Sequence, residues 1–272
     1  MDTVIEPYLV IDTLVLKSKH LKRDVALTFF LPKNVAEPSQ MPLLLINDGQ
    51  DMPAMQFDEI LNELYEQSAI RPVFCVAIAA GEARVQEYGV AKKKDYLGRG
   101  SKAGHYTKFV LKELIPYIKE NYNIPAFKET AFAGFSLGGL SALDMVWNHP
   151  EVFSKAGIFS GSLWWRSMDQ HNARYNDDKH RIMHQEIRKG KYKQGLKFFF
   201  ECGRLDESGD RNNNGIIDSI DDTLDLIKAL LAKGYHHGDI TYLELEEGRH
   251  DVPTWGKAMP VFLKWAWGKN NF

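Results

Sequence analysis

Cysteine is scarce in this chain: there are two, Cys75 and Cys202, among 272 residues. Both stand in apolar runs and read as buried free thiols, so a disulfide framework is not what holds the fold. An excess of either charge is missing as well. Lys and Arg number 34 against 36 Asp and Glu, a formal net charge of −2. That balance gives no electrostatic reason to expect nucleic acid or an anionic membrane as partner. No apolar run approaches the roughly 20 residues of a membrane-spanning helix. The segment Met1 to Pro7 has neither the basic stretch nor the apolar core of a leader, which sets the expectation of a cytoplasmic protein. Internal repeats and low-complexity linkers are also lacking. What is present, at 44% hydrophobic residues, suffices for a large core.

The apolar pattern alternates between strand and helix. Tyr8–Leu16 and Asp24–Leu31 flank a basic turn and read as an antiparallel pair. Met41–Ile46, Val73–Ala79, Thr130–Ala133, Lys155–Ser160, Phe198–Cys202 and Ile240–Leu245 read as further strands. Phe57–Tyr65, Tyr106–Tyr122, Leu140–Trp147, Asp222–Lys233 and Ala258–Trp267 have helical spacing. Apolar strands separated by helices imply a mainly parallel sheet covered on both faces. Residues 162–194 break the alternation, being rich in His, Arg, Asn and Asp. They are expected to form a cap on a single domain spanning 1–272.

The chain is organised around Gly134-Phe135-Ser136-Leu137-Gly138, which fits the G-x-S-x-G elbow of a nucleophilic serine. The pentapeptide alone also suits a plain glycine-rich turn. Its setting, a β-prone run before and a helical run after, favours the elbow. There the serine hydroxyl projects above the sheet, and the N–H of Leu137 points where an oxyanion would form. A serine nucleophile needs a histidine base and an acid, expected after it in the order acid, histidine. Of the nine histidines, His250 alone follows a late strand and precedes the last helix. Asp206, at the end of the Gly203-Arg204-Leu205-Asp206 turn, is the first choice for the acid, with Glu207 and Asp210 as competitors. The second oxyanion donor is expected after the first parallel strand, from the N–H of Gln50 or, next, Asp51.

A second pattern follows directly. Asp210, Asn212, Asn214, Ile216, Asp218 and Asp221 occupy positions 1, 3, 5, 7, 9 and 12 of a calcium-loop motif. Gly215 stands at the sharp turn of position 6, and Ile217 at the usual apolar position 8. Position 12 is Asp rather than Glu. A structural Ca²⁺ stiffening the loop that carries Asp206 is therefore expected, a solvated polar turn being the alternative. No cofactor is expected for catalysis itself.

Several segments together carry a resemblance. They are Asn47-Asp48-Gly49-Gln50, Gln86-Glu87-Tyr88-Gly89, Glu113 to Ile118, the elbow with Gly139-Leu140, Phe159 to Trp165, and Gly248-Arg249-His250-Asp251 with Trp255. In these the chain resembles the esterase branch of the α/β-hydrolase superfamily, which includes enterochelin, feruloyl and acetyl-carbohydrate esterases. The resemblance implies an α/β-hydrolase fold, with Ser136 as nucleophile, His250 as base and Asp206 as acid. The calcium-like insertion departs from that pattern. The expected activity is hydrolysis of small or carbohydrate-linked esters through an acyl-enzyme. Tyr88, Trp164, Trp165 and Trp255 could supply an aromatic substrate pocket or equally belong to the core. An acyltransferase with the same triad, a siderophore-ester hydrolase and a non-catalytic calcium-binding protein are the rival readings.

Overall fold

The computed structural model describes residues 8–33 and 35–269; the leader reading of Met1 to Pro7 falls outside them. Eight strands form one sheet: β1 (Leu9–Ser18), β2 (Arg23–Pro32), β3 (Leu43–Asn47), β4 (Phe74–Ile78), β5 (Thr130–Phe135), β6 (Lys155–Phe159), β7 (Lys197–Leu205) and β8 (Ile240–Arg249). Their order is β1-β2-β4-β3-β5-β6-β7-β8. The β1–β2 and β2–β4 pairs are antiparallel, and every other pair is parallel. Every residue of β3, β4, β5 and β6 is buried, as strands covered on both faces must be. One core layer joins Phe132, Leu140 and Trp147, and the other joins Ala133, Phe159 and Phe262. This is the expected α/β-hydrolase architecture.

The strands end alike. The chain leaves the carboxyl ends of β3, β5, β6, β7 and β8 at one edge of the sheet, where ligands bind in open α/β folds. The helix expected over 106–122 is present but not uniform. A π-helical turn, Val110–Leu114, joins Ala103–Phe109 to Ile115–Asn121. Pro116 lacks the N–H that an unbroken α-helix would use there, and the wider turn absorbs the gap. The stretch 162–194 gives Leu163, Trp165, Ile182, Met183 and Ile187 to the core. Its middle, with the short helix Asp177–His180, and its end around Lys191 and Tyr192 stay at the surface. Among the described residues no helix is long and apolar enough to cross a membrane.

Candidate active site

Ser136 occupies the turn between β5 and the helix Leu137–Asn148, at φ +53° and ψ −121°. A non-glycine residue is held there only when its surroundings over-determine it. The glycines explain how. A Cβ on Gly134 would come within 2.4 Å of the Gly138 carbonyl oxygen, so the strand and the helix start approach closely only without one. Ser136 N–H donates to Phe159 O at 2.9 Å, and Ser162 N–H donates to Ser136 O at 3.0 Å. The elbow is thus clamped to the loop after β6. The N–H of Leu137 opens the helix and has no intrahelical acceptor.

The loop after β3 packs on the elbow. Asn47 Nδ2 donates to Gly138 O at 2.8 Å, and a Cβ on Gly138 would lie 2.6 Å from Asp48 Oδ2. Asp48, at φ +60°, is buried and held by Arg84 through two bonds of 2.6 and 2.8 Å. This ion pair fixes the turn that presents Gly49 and Gln50. The Gln50 side chain is occupied, accepting from Ala80 N–H at 2.9 Å.

Ser136, Ser160, Gly161, Ser162, Trp164, Asp206, Glu207, Ser219 and His250 line one cavity of about 260 Å³ at the carboxyl ends of β5 to β8. Residues far apart in sequence, Ser136, Asp206 and His250, therefore share one space. A surface groove of about 780 Å³, lined in part by Leu111, Phe127 and Thr130, is larger. It lies at the opposite end of β5, away from any of the three.

Asp206 follows a register shift between Gly203 and Leu205 in the β7–β8 pairing. A Cβ on Gly203 would lie 2.4 Å from the Gly248 carbonyl, so the two chains touch there and Asp206 turns over the sheet end. Both Asp206 carboxylate oxygens are buried without a hydrogen-bond partner. Burial, before all else, raises its pKa. Ser160's hydroxyl, the Gly203 N–H and the His250 charge work the other way. The Ser160 hydroxyl and the Gly203 N–H are near enough to favour the ionised form without making a close hydrogen bond to it.

His250 stands at the cavity rim with much of the residue exposed. Enough protein surrounds the ring that burial, followed by the Arg84 charge, lowers its pKa against the pull of Asp206. Trp255 meets the ring edge-on, with centroids 5.4 Å apart. Ser136 Oγ is 3.3 Å from Ser162 Oγ. Among the described residues no hydrogen bond joins His250 to Ser136 or Asp206; in an unliganded site such bonds are often long and tighten only around substrate.

The aromatic residues divide. Trp164 lines the cavity. Tyr88 and Trp165 are fully buried at 0% exposure and have no surface to offer a substrate. Tyr88 Oη instead accepts from Asp48 N–H at 3.2 Å, and Trp165 Nε1 reaches Lys93 O at 3.5 Å. Trp255 is buried behind the site, stacked on Phe135 and donating from Nε1 to Ser160 Oγ at 3.0 Å. Of the two readings offered for these residues, pocket wall or core, Trp164 is placed for the first, while Tyr88, Trp165 and Trp255 are packed in the core.

The loop at 210–221 folds as its motif dictates, with Gly215 at φ +83°. Asp210 accepts from the N–H groups of Asn214 and Gly215 at 3.1 and 2.9 Å. The amides of Asn212 and Asn214 both donate to Asp221 Oδ2, at 2.7 and 3.0 Å. Asp218 is taken by Arg211, which also pairs with Asp177 and Asp222. Asp218 and Asp221 lie in the first turn of the helix Asp218–Lys233, which starts earlier than its apolar pattern suggests. Among the described residues no three His, Cys, Asp or Glu side chains are arranged to hold a metal. An ion here would depend on the Asn oxygens.

Sequence reasoning missed Arg84 and Glu201. Arg84 sits in a polar stretch with no pattern to mark it. Glu201 carried a signal, a lone charge within the apolar run Phe198 to Cys202.

Comparison with known proteins bears on the family and the fold. The model of the family described as "Putative esterase" matches residues 18–266. The Bacillus subtilis (strain 168) protein named "Uncharacterized protein YbbA" is 24% identical over 261 residues, covering 93% of this chain and 97% of that protein. The enterobactin esterase FES from Shigella flexneri superposes with a TM-score of 0.73 at 22% identity, over 97% of this chain and 60% of FES. This chain thus spans well under two thirds of that esterase. A ferulic acid esterase superposes with a TM-score of 0.70 at 18% identity, over 96% of this chain and 98% of its own. At these identities the superpositions speak for the fold, while the family match covers nearly the whole chain. The chain belongs to the "Putative esterase" family, carboxylic-ester hydrolases built on the α/β-hydrolase fold.

Proposed function

We propose that the protein is a serine esterase in which Ser136, His250 and Asp206 act as a triad on small or carbohydrate-linked esters. The observation that carries this reading is Ser136, strained on its elbow and opening into a cavity it shares with Asp206 and His250. Ser136 Oγ attacks the ester carbonyl while His250 takes its proton. His250 then gives that proton to the departing alcohol, leaving an acyl group on Ser136. Water, deprotonated by His250, attacks the acyl carbon; the acid is released as His250 returns that proton to Ser136 Oγ. Asp206 holds the imidazole and balances its charge. The N–H groups of Leu137 and Gln50 receive the oxyanion, supported by the positive end of the helix Leu137–Asn148.

The names of the fold relatives, enterobactin esterase and ferulic acid esterase, put aromatic-acid esters beside acetyl sugars in the substrate panel. Trp164 at the cavity wall offers a face for either. Turnover of p-nitrophenyl acetate, feruloyl sugars, acetyl sugars and enterobactin tests the reading and ranks the substrates. Hydrolysis of none of them would contradict it. Added alcohol that diverts the acyl group from water would make the enzyme an acyltransferase with the same triad.

The pH dependence follows from His250. The base must be neutral, and its pKa is lowered in the folded protein. Activity is therefore expected to rise with pH along a limb lying below the ~6.5 of a free imidazole. A limb at or above that value would contradict the environment described for His250.

The same reading keeps a structural calcium ion in the 210–221 loop, with Asn212 and Asn214 rotating their amides to turn oxygen inward. Calcium would then stabilise the folded chain by mass action, since the unfolded chain has no preformed site. Millimolar calcium is expected to raise Tm and a chelator to lower it, with Asp210→Ala removing both responses. A wild-type Tm indifferent to both would leave the loop as a turn closed by Arg211.

A further inference from the structure

β7 carries an acid that the reaction above does not use. Glu201 is completely buried, flanked along its strand by Phe198, Phe199, Phe200 and Cys202. Its Oε2 lies 3.4 Å from Ser160 Oγ, and its Oε1 has no hydrogen-bond partner. Ser160 Oγ also receives the Trp255 indole N–H at 3.0 Å. Ser160 itself is held at φ +43°, with its N–H donated to Glu201 O at 2.8 Å. Both oxygens of Asp206 are orphaned close by. Two buried acids therefore compete for one hydroxyl.

A serine hydroxyl has one proton to give and two positions to accept. Trp255 fills one accepting position. With Glu201 ionised, the single Ser160 proton goes to Glu201 and Asp206 receives nothing from Ser160. With a proton on Glu201 Oε2, that proton fills the second accepting position, and the Ser160 proton is free to turn to Asp206. Ser160 then gives and receives without conflict, and one oxygen of Asp206 gains a donor. We propose that Glu201 is a positioning residue that keeps its proton, donates it to Ser160 Oγ, and so turns the Ser160 hydroxyl onto the Asp206 carboxylate that faces His250. The inference rests on the triad reading above and adds a fourth acid–hydroxyl layer behind it.

The surroundings agree. Burial, with the Asp206 charge second, pushes the Glu201 carboxyl up to about 8. The remaining titratable neighbours are neutral through that range: burial raises Cys202 on the same strand, and burial likewise raises Tyr242 on β8. Leu243, opposite Glu201 in the β7–β8 register, and Trp255 bring no charge.

The test is the background-corrected pH profile of kcat for p-nitrophenyl acetate, on the wild type, Glu201→Gln, Glu201→Leu and Ser136→Ala. The wild type is expected to lose kcat above about pH 8, where Glu201 gives up its proton. Glu201→Leu should lose kcat about tenfold or more with KM little changed, the scale of a lost positioning contact. Glu201→Gln, whose amide N–H can donate to Ser160 Oγ at any pH, should restore neutral kcat and abolish the alkaline loss. An alkaline limb identical in Glu201→Gln and wild type overturns the proposal, as does full kcat in Glu201→Leu. If Glu201→Leu does not fold, the Gln profile decides alone. Turnover surviving in Ser136→Ala would overturn the triad reading itself. An inactive Ser136→Ala with an unaltered Gln profile would overturn only the role of Glu201.

Discussion

Ser136→Ala is expected to lower kcat for p-nitrophenyl acetate by about 10⁴-fold or more, the scale seen when a triad nucleophile is removed. The fold should survive. The backbone at 136 is held by Phe159 O, by Ser162 N–H and by the close approach of Gly134 to Gly138, none of which uses the hydroxyl. The side chain gives up one long contact with Ser162 Oγ at 3.3 Å, itself at a cavity wall. Tm should therefore stay within about 2 °C of the wild type. Circular dichroism melting and steady-state kinetics on the purified variant check both halves. Loss of activity together with a large fall in Tm would mean that the substitution had damaged the elbow rather than the chemistry.

Asp206→Asn is expected to cut kcat by about 10³- to 10⁴-fold, because the neutral amide cannot balance a charged His250 and can fix the wrong imidazole tautomer. Its effect on stability should run the other way. Asp206 is a largely buried carboxylate short of donors, an arrangement that disfavours its charge. Asn at the same place removes the charge and raises Tm by roughly 2–4 °C, the equivalent of about 1 kcal/mol. The sign can be checked against pH. Burial raises the folded-state pKa of Asp206 above its unfolded value. The folded chain then binds the proton more tightly, so this group's destabilisation is absent below the unfolded pKa and complete above the folded one. The Tm advantage of Asp206→Asn should accordingly shrink as pH falls through that window. A variant that keeps wild-type kcat would return Glu207 or Asp210 to consideration as the acid.

The sheet and the elbow were legible in the sequence because their causes are local. Met41 to Ile46 and Val73 to Ala79 are apolar throughout, as parallel strands buried on two faces must be, and they fold as β3 and β4. The elbow announces itself because only glycine fits at 134 and 138. Asp206 and His250 could be found by counting strands, since each follows the carboxyl end of its own. Partnership across the fold was not legible. Tyr88 lies in a segment that carries the family resemblance, yet its use is internal: its hydroxyl accepts the Asp48 N–H under the elbow. Trp165 and Trp255 have the composition of a binding wall, but burial of an aromatic depends on neighbours that pattern alone does not reveal. Arg84 reaches Asp48 from a helix whose sequence marks no site. Glu201 was the reverse case. A charge inside an apolar strand is a signal in itself, because such a group is tolerated only with a specific partner or a shifted pKa. The calcium-like loop shows a further limit. Its spacing fixes the turn, but whether Asn212 and Asn214 present oxygen or N–H is decided by amide rotations that leave the sequence unchanged.

The account's central claim is that Ser136 is the nucleophile, and the most direct measurement is mass spectrometry of the protein after reaction with a fluorophosphonate. The account predicts one adduct, on the peptide containing Gly134 to Gly138 and on Ser136 within it, formed in step with loss of esterase activity and absent from Ser136→Ala. An active enzyme that takes no label, or one labelled at another serine such as Ser160 or Ser162 with matching loss of activity, would contradict it.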